Sequence, residues 1–164
     1  FLDADVMIPP DYLSQIYQSI SEKHAKLLTT RLKPDSRGFI DKCIALAINI
    51  IMELNSFIGM PTSFGSATIV SREGFIITHG YNERLSVGED IDFSIRVARA
   101  GFPLLILKKP CAYMSMRRYH SQGLVRTIIF QLAIGFSIFF NLPLTRQFFR
   151  YPMGGQAHTT NNPK

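Results

Sequence analysis

Apolar positions repeat along this chain at two spacings, one helical and one extended. Ile40, Ile44, Ala47, Ile48, Ile51, Leu54 and Ile58 share a helical face and predict a helix over 40–58. Its other positions (Ala45, Ile50, Met52, Phe57) are apolar too, so that helix is buried deeply or touches a membrane. Pro9-Pro10-Asp11 suits a first helical turn, and Leu13, Ile16, Tyr17 and Ile20 continue at helical spacing. Ile91, Ile95 and Ala98 place a third helix over 90–100, with Asp92 and Arg96 as an i,i+4 pair and Gly101 as the stop. A short helix is expected over 72–78. Strands are expected over 25–32, 67–70, 103–107 and 112–116, the last ending at Arg117-Arg118-Tyr119-His120. Phe1-Leu2 reads as the end of a buried strand, and 33–38, 60–65 and 79–83 read as loops or turns.

The last apolar run, Ile128 to Phe140, is interrupted only by Gln131 and Ser137 and falls short of the roughly twenty residues that span a bilayer. Arg117, Arg118 and Arg126 precede it, and Arg146 and Arg150 follow. Cations flanking an apolar helix suit an interfacial helix beside anionic lipid. The same helix could instead close the core or form a dimer contact. The expected division is a main α/β domain over 1–122, a hydrophobic helical segment over 123–151 and a disordered polar tail over 152–164.

The 164 residues suffice for one domain with a real core. Only 18% are charged, against roughly 25% in an ordinary soluble domain, and 13 Phe with no Trp add to the apolar weight. The net charge of +6 fits phosphorylated substrates, anionic membrane or nucleic acid. Apart from Lys108-Lys109 and Arg117-Arg118 the cations are scattered, which argues against a nucleic-acid stripe. Cys43 and Cys111 lack zinc-type spacing and read as two buried, reduced thiols of a cytosolic protein. No signal peptide opens the sequence, and its first residues read as the end of a core strand. The expectation is the C-terminal part of a longer protein.

Two acidic clusters carry the candidate chemistry. Asp3-Ala4-Asp5 follows the apolar pair Phe1-Leu2, and at the carboxyl end of a strand such a pair can hold a hard divalent cation together with substrate phosphates. The alternative is a solvated turn. Gly88-Glu89-Asp90-Ile91-Asp92 precedes a helix, where one or two acids would serve as caps. Three acids in four residues exceed what capping needs. Two clusters far apart in sequence suggest a metal site and a general base.

Phe-Leu-Asp-Ala-Asp at 1–5, followed by Pro10-x-x-Leu13, resembles the Asp-x-Asp segment of inverting family 2 glycosyltransferases of the GT-A fold. The order Phe64-Gly65, Arg72-Glu73-Gly74-Phe75, Gly80-Tyr81-Asn82-Glu83, Gly88-Glu89-Asp90-Ile91-Asp92-Phe93, Arg96 and Gly101 is similar to that family's. Ser115-Met116-Arg117-Arg118-Tyr119, then Gly123-Leu124 and an apolar helix, is similar to a subgroup of small bacterial members. The resemblance spans 1 to about 125 and, more loosely, the final helix. It implies a partial GT-A, Rossmann-like mixed sheet flanked by helices, with a C-terminal hydrophobic helix.

Carried over by position, the resemblance implies that Asp3 and Asp5 hold Mn²⁺ or Mg²⁺ on the donor diphosphate, Asp5 more directly. Asp90 would be the general base, with Glu89 and Asp92 shaping its site and Gly80, Tyr81 and Glu83 on the acceptor side. Arg117 and Arg118 could meet a diphosphate or lipid phosphate, and His120 could be a further metal ligand. The partners implied are a nucleotide-sugar donor and a hydroxyl acceptor, lipid-linked or part of a cell-envelope glycan, at the cytoplasmic face of a membrane. His79-Gly80 stands where many members have Gly-Gly. The Gln-x-x-Arg-Trp motif of processive synthases is absent, which points to single-sugar transfer. The family's N-terminal, nucleobase-gripping half is not among these residues, so the fragment alone is expected to be inactive. Two other readings fit the acids or the cations separately: a sugar-nucleotide-forming nucleotidyltransferase, and a non-catalytic peripheral membrane module.

Overall fold

The computed structural model describes residues 1–140 except Phe64, Ser66 and Ser86, and nothing of the Leu124 side chain. Four strands form one mixed sheet in the order β1-β4-β2-β3: β1 (Val6–Met7), β2 (Leu27–Pro34), β3 (Thr68–Val70) and β4 (Leu104–Met114). Six helices surround it: α1 (Tyr12–Lys23), α2 (Phe39–Phe57), α3 (Arg72–Ile77), α4 (Glu89–Arg99), α5 (Arg117–Gln122) and α6 (Leu124–Phe139). This is the expected mixed α/β arrangement, compatible with a partial GT-A fold. β2 and β4 run parallel, whereas β1 and β3 are antiparallel edges.

The central pair explains the two faces of the core. Leu28 and Leu32 point toward a cluster with Tyr12, Ile16, Ile44, Ile48 and Leu107. Leu27, one position away and therefore on the opposite face, packs with Phe93 and Val97 of α4. Phe1 exchanges both backbone hydrogen bonds with Thr68 on the outer side of β3 (2.7 and 3.1 Å). Five residues later Val6 pairs with Met114 at the far edge. Five residues reach roughly 16–18 Å at most, and a flat sheet would require roughly 19 Å. The Val6 N–H bond to the Asp3 carbonyl further shortens this link into a turn. The sheet therefore curls, and Asp3 and Asp5 are carried across its open end.

Several expected elements differ in extent. The two strands expected over 103–107 and 112–116 are the single strand β4. Its ladder to β2 passes from Thr30↔Leu107 to Leu32↔Ala112, so five steps on β4 match two on β2, and the intervening polar Lys108-Lys109-Pro110 bulges out of register. β2 runs to Pro34, two residues beyond the expected end. Arg117 to His120 are helical, because the β4–α5 junction is held where Asp35 Oδ1 accepts the Met116 N–H (3.1 Å). Phe1 and Leu2 are exposed despite the backbone pairing of Phe1. Cys43 is exposed and Cys111 half-buried, so neither is the core thiol expected.

Faces were harder to read than elements. α1 buries Tyr12 and Ile16 while Leu13 and Tyr17 lie outside. α2 buries Asp41, Ile44, Ala45, Ile48, Asn49 and Met52, leaving Ile40, Leu54 and Ile58 exposed. Two polar residues win inward positions through hydrogen bonds. Asn49 accepts the Leu32 N–H (2.9 Å) and donates to the Leu32 carbonyl (2.9 Å) and to Ala45 (2.8 Å), completing β2 beyond Thr29, where its pairing with β3 ends. Asn49→Leu is expected to cost about 2–4 kcal/mol in denaturant unfolding, since both Leu32 backbone groups would be buried without partners.

α6 packs one face on the start of α4. Ile134 joins Val87, Ile91 and Ile95, flanked by Phe130 and Ile138. Val125, Ile129, Leu132, Phe136 and Phe140 form its exposed side. Among the described residues no helix is long and apolar enough to cross a membrane. The expected extension of this segment to 151, with Arg146 and Arg150, and the tail over 152–164 lie outside the described residues, as does Phe64.

Candidate active site

The turn at Asp3–Val6, the loop at Gly65 and the first turn of α4 meet at the open end of the sheet. Gly88, in the left-handed conformation (φ +74°), ends the incoming loop and starts α4. Asp90 then lies in the helix's first turn with its carboxylate directed at the Gly65 loop. Its Oδ2 accepts the Gly65 N–H (2.6 Å) and its Oδ1 the Ile91 N–H (2.8 Å). Asp3 crowds the same glycine: a Cβ added to Gly65 would stand 3.2 and 3.3 Å from the Asp3 carboxylate oxygens and 3.4 Å from Asp90 Oδ2. Glycine, by leaving that Cβ position empty, makes room for both carboxylates beside one backbone segment.

A cleft of about 120 Å³ opens there, lined by Asp3, Asp5, Gly65, Asp90, Ser115, Arg118, Tyr119 and Gln131 over an apolar floor of Val6, Leu32, Ile48 and Met114. That volume holds a small charged group with its waters, not a whole nucleotide of the size that fills a pocket of roughly 300–1,000 Å³.

The electrostatics are those of crowded acids. Burial, above all, pushes the Asp90 carboxyl up to about 6; the Gly65 and Ile91 N–H groups oppose this, and Glu89 and Asp3 add to it. Asp3 is raised by burial, then by Asp5 beside it, with Arg118 pulling the other way. The Tyr81 phenol is pushed up to about 12, first by burial and then by Asp90, although a hydrogen bond with Thr68 acts in the opposite sense. Arg118 thus meets the acids across the cleft, from the first turn of α5.

The remaining expected residues are placed differently. Glu89 is exposed and outside the cleft, though its charge is felt by Asp90 and Asp3. Asp92 does not face the cleft: its Oδ2 takes a 2.7 Å bond from Arg96, which also donates to the carbonyls of Thr78 (2.6 Å) and Gly80 (2.9 Å). Asp92 and Gly80 therefore brace the 78–80 loop. Gly80, at φ +70°, has no room for a side chain, since an added Cβ would sit 2.8 Å from the Phe75 ring. Tyr81 stacks on Phe93 (4.5 Å), and Glu83 is exposed. Arg117 is exposed and not part of the cleft lining.

His120 stands outside the cleft lining. It does not join Asp3 and Asp5; its Nε2 lies 3.1 Å from Asp41 Oδ1, on the face of α5 turned toward α2. The Ser36 hydroxyl first, and His120 after it, hold the Asp41 carboxyl below its ordinary value. Among the described residues no group of three or more His, Cys, Asp or Glu side chains forms a metal cage. Asp3 and Asp5 supply only oxygen donors, which fits a hard cation completed by substrate phosphate and water. Two mutually repelling carboxylates beside a half-buried third also fit a site whose charge a cation would neutralise.

Ser115, Tyr119 and Gln131 were not assigned from sequence. Gln131, which approaches the Tyr119 hydroxyl at 3.3–3.4 Å, had a visible signal as one of two polar residues inside an apolar helix.

Residues 1–142 match the model of a protein family described as glycosyl transferase family group 2. No curated protein matches the chain. With the match covering most of its length, over the same acids that meet in the cleft, the chain belongs to glycosyl transferase family group 2.

Proposed function

We propose that this chain carries the catalytic acids of a metal-dependent, inverting glycosyltransferase. It would move a single sugar from a nucleotide-sugar to a hydroxyl on a lipid carrier or cell-envelope glycan. The observation that carries the reading is the meeting of Asp3 and Asp90 at Gly65, with Asp5 lining the same cleft. Mn²⁺ or Mg²⁺ held by Asp3 and Asp5 would supply Lewis-acid neutralisation of the departing diphosphate. Arg118, on the far wall, is suited to a phosphate oxygen through its guanidinium fork. Asp90 takes the proton of the acceptor hydroxyl. That oxygen bonds to the anomeric carbon from the face opposite the diphosphate, the carbon–oxygen bond to the diphosphate breaks, and the configuration inverts. The backbone N–H bonds from Gly65 and Ile91 fix the carboxylate while leaving each oxygen a further lone pair for that proton. Burial that brings Asp90 to about 6 gives it stronger basicity than an ordinary carboxylate, at a value still below neutral pH.

The exposed apolar sides of α2 and α6 support peripheral contact with the cytoplasmic face of a membrane, where a lipid-linked acceptor would be met. The test of the site is release of nucleoside diphosphate from a panel of nucleotide-sugars in the presence of Mn²⁺. Asp5→Asn should reduce release about 100-fold or more and raise the Mn²⁺ concentration giving half activity. Unchanged metal dependence would remove Asp5 from the metal site.

A further inference from the structure

We infer that Ser94, acting through Ser63, is the positioning residue that aims Asp90 into the cleft, an inference that rests on Asp90 being the base. Ser94 follows Asp90 by one helical turn, and its hydroxyl donates to the Asp90 carbonyl (2.8 Å). Alone that would be an ordinary serine back-bond within a helix. Here the same oxygen also receives the Ser63 N–H (3.3 Å) and lies in a short contact with the Ser63 hydroxyl. Thr68 completes the set by donating to Ser63 Oγ (3.0 Å). All three hydroxyl residues are fully buried.

Their protons have a consistent direction. Ser94 gives its proton to the Asp90 carbonyl, so Ser63 gives its own to Ser94, and Thr68 gives its own to Ser63. Each hydroxyl donates once, and Ser94 and Ser63 each accept as well, so none of the three protons is left unbonded. The consequence is a closed ring. The backbone of Asp90 is tied through Ser94 to Ser63, and two residues along the same loop the Gly65 N–H is tied to the Asp90 carboxylate. One loop thus grips the aspartate at both its main chain and its side chain. Releasing the first grip frees the loop to drift, taking the Gly65 N–H and the direction of the carboxylate with it.

The test compares Ser94→Ala, Ser63→Ala, Tyr12→Phe and Asp90→Asn in the full protein, assayed for nucleoside diphosphate release from a panel of nucleotide-sugars with Mn²⁺. A misplacement of about 1 Å at a reacting group costs on the order of 100-fold. Ser94→Ala should therefore lower kcat about 10- to 100-fold with donor KM within about twofold. Ser63→Ala, which keeps its N–H bond to Ser94, should lower it less. Ser94→Thr, restoring the hydroxyl, should recover part of the loss. Tyr12→Phe removes a buried hydroxyl bond to Thr30 (2.8 Å) away from the cleft and should leave kcat unchanged. The Gly65 amide proton resonance should move upfield in Ser94→Ala as its bond to the carboxylate loosens. If Ser94→Ala fails to fold, the smaller kcat loss in Ser63→Ala carries the same test. Full kcat in both serine variants beside an inactive Asp90→Asn would overturn the positioning role and leave the base intact. An active Asp90→Asn would overturn the base and this inference with it.

Discussion

Replacing Asp90 by Asn should cut sugar transfer by about 10²- to 10⁴-fold, the range associated with loss of a general base, without unfolding the protein. Asparagine keeps an acceptor for the Gly65 N–H but cannot take a proton from the acceptor alcohol. The wild-type pH profile should show the same group. Transfer requires the carboxylate, so kcat/KM should fall as pH drops through about 6, not through the ordinary carboxylate range near 4.

Stability should move in the opposite sense to activity. With its folded value raised from 3.8 to about 6, Asp90 favours the native state while protonated and disfavours it once ionised. That penalty is absent below about pH 4 and complete above about pH 6, on the order of 3 kcal/mol. Asp90→Asn should therefore unfold at a higher temperature than the wild type at pH 8, and the gap should close toward pH 4. Thermal scans across that interval would show it.

Gly88→Ala should lower stability by about 2–5 kcal/mol, a backbone cost and a packing cost together. A left-handed conformation costs an alanine about 1–2 kcal/mol, and here the new methyl also meets α6. It would lie 2.3 Å from Ile138 Cδ1 and 2.5 Å from Ile134 Cγ2. The Ile138 end can swing aside, but Ile134 Cγ2 is fixed close to its own backbone, so relief requires α6 to move off α4. Overpacking of this kind costs a further 1–3 kcal/mol. Denaturant unfolding measures the loss, and because Gly88 begins the helix bearing Asp90, activity should fall with it.

The elements of this fold were legible wherever the period was strong: α2, α4 and α6 stand within a few residues of where their apolar repeats put them. The faces were not. In α2 apolar residues lie on both sides, Ile44, Ile48 and Met52 inward and Ile40, Leu46, Ile50 and Leu54 outward, so periodicity could not distinguish the inward side, and the deciding residues were Asp41 and Asn49, whose hydrogen bonds hold polar groups inside. The split of β4 into two strands followed a real polar interruption, but a bulge beside a longer parallel partner absorbs it. In the cleft, Asp3, Asp5, Asp90 and Arg118 were recognisable as charged residues in characteristic order. Ser63, Ser94 and Gly65 act through one hydroxyl chain and one N–H, which no spacing along the sequence announces. His120 was singled out for its chemistry alone, and spacing along the sequence could not show that α5 faces it to Asp41.

The most direct measurement is the crystal structure of the protein soaked with Mn²⁺ and a nucleoside diphosphate, located by manganese anomalous scattering. The account predicts a peak within coordination distance of Asp3 or Asp5, with the diphosphate between it and Arg118 and with Asp90 bound to Gly65 and not to the metal. A peak ligated by Asp90, or diphosphate and metal bound away from this cleft, would contradict it.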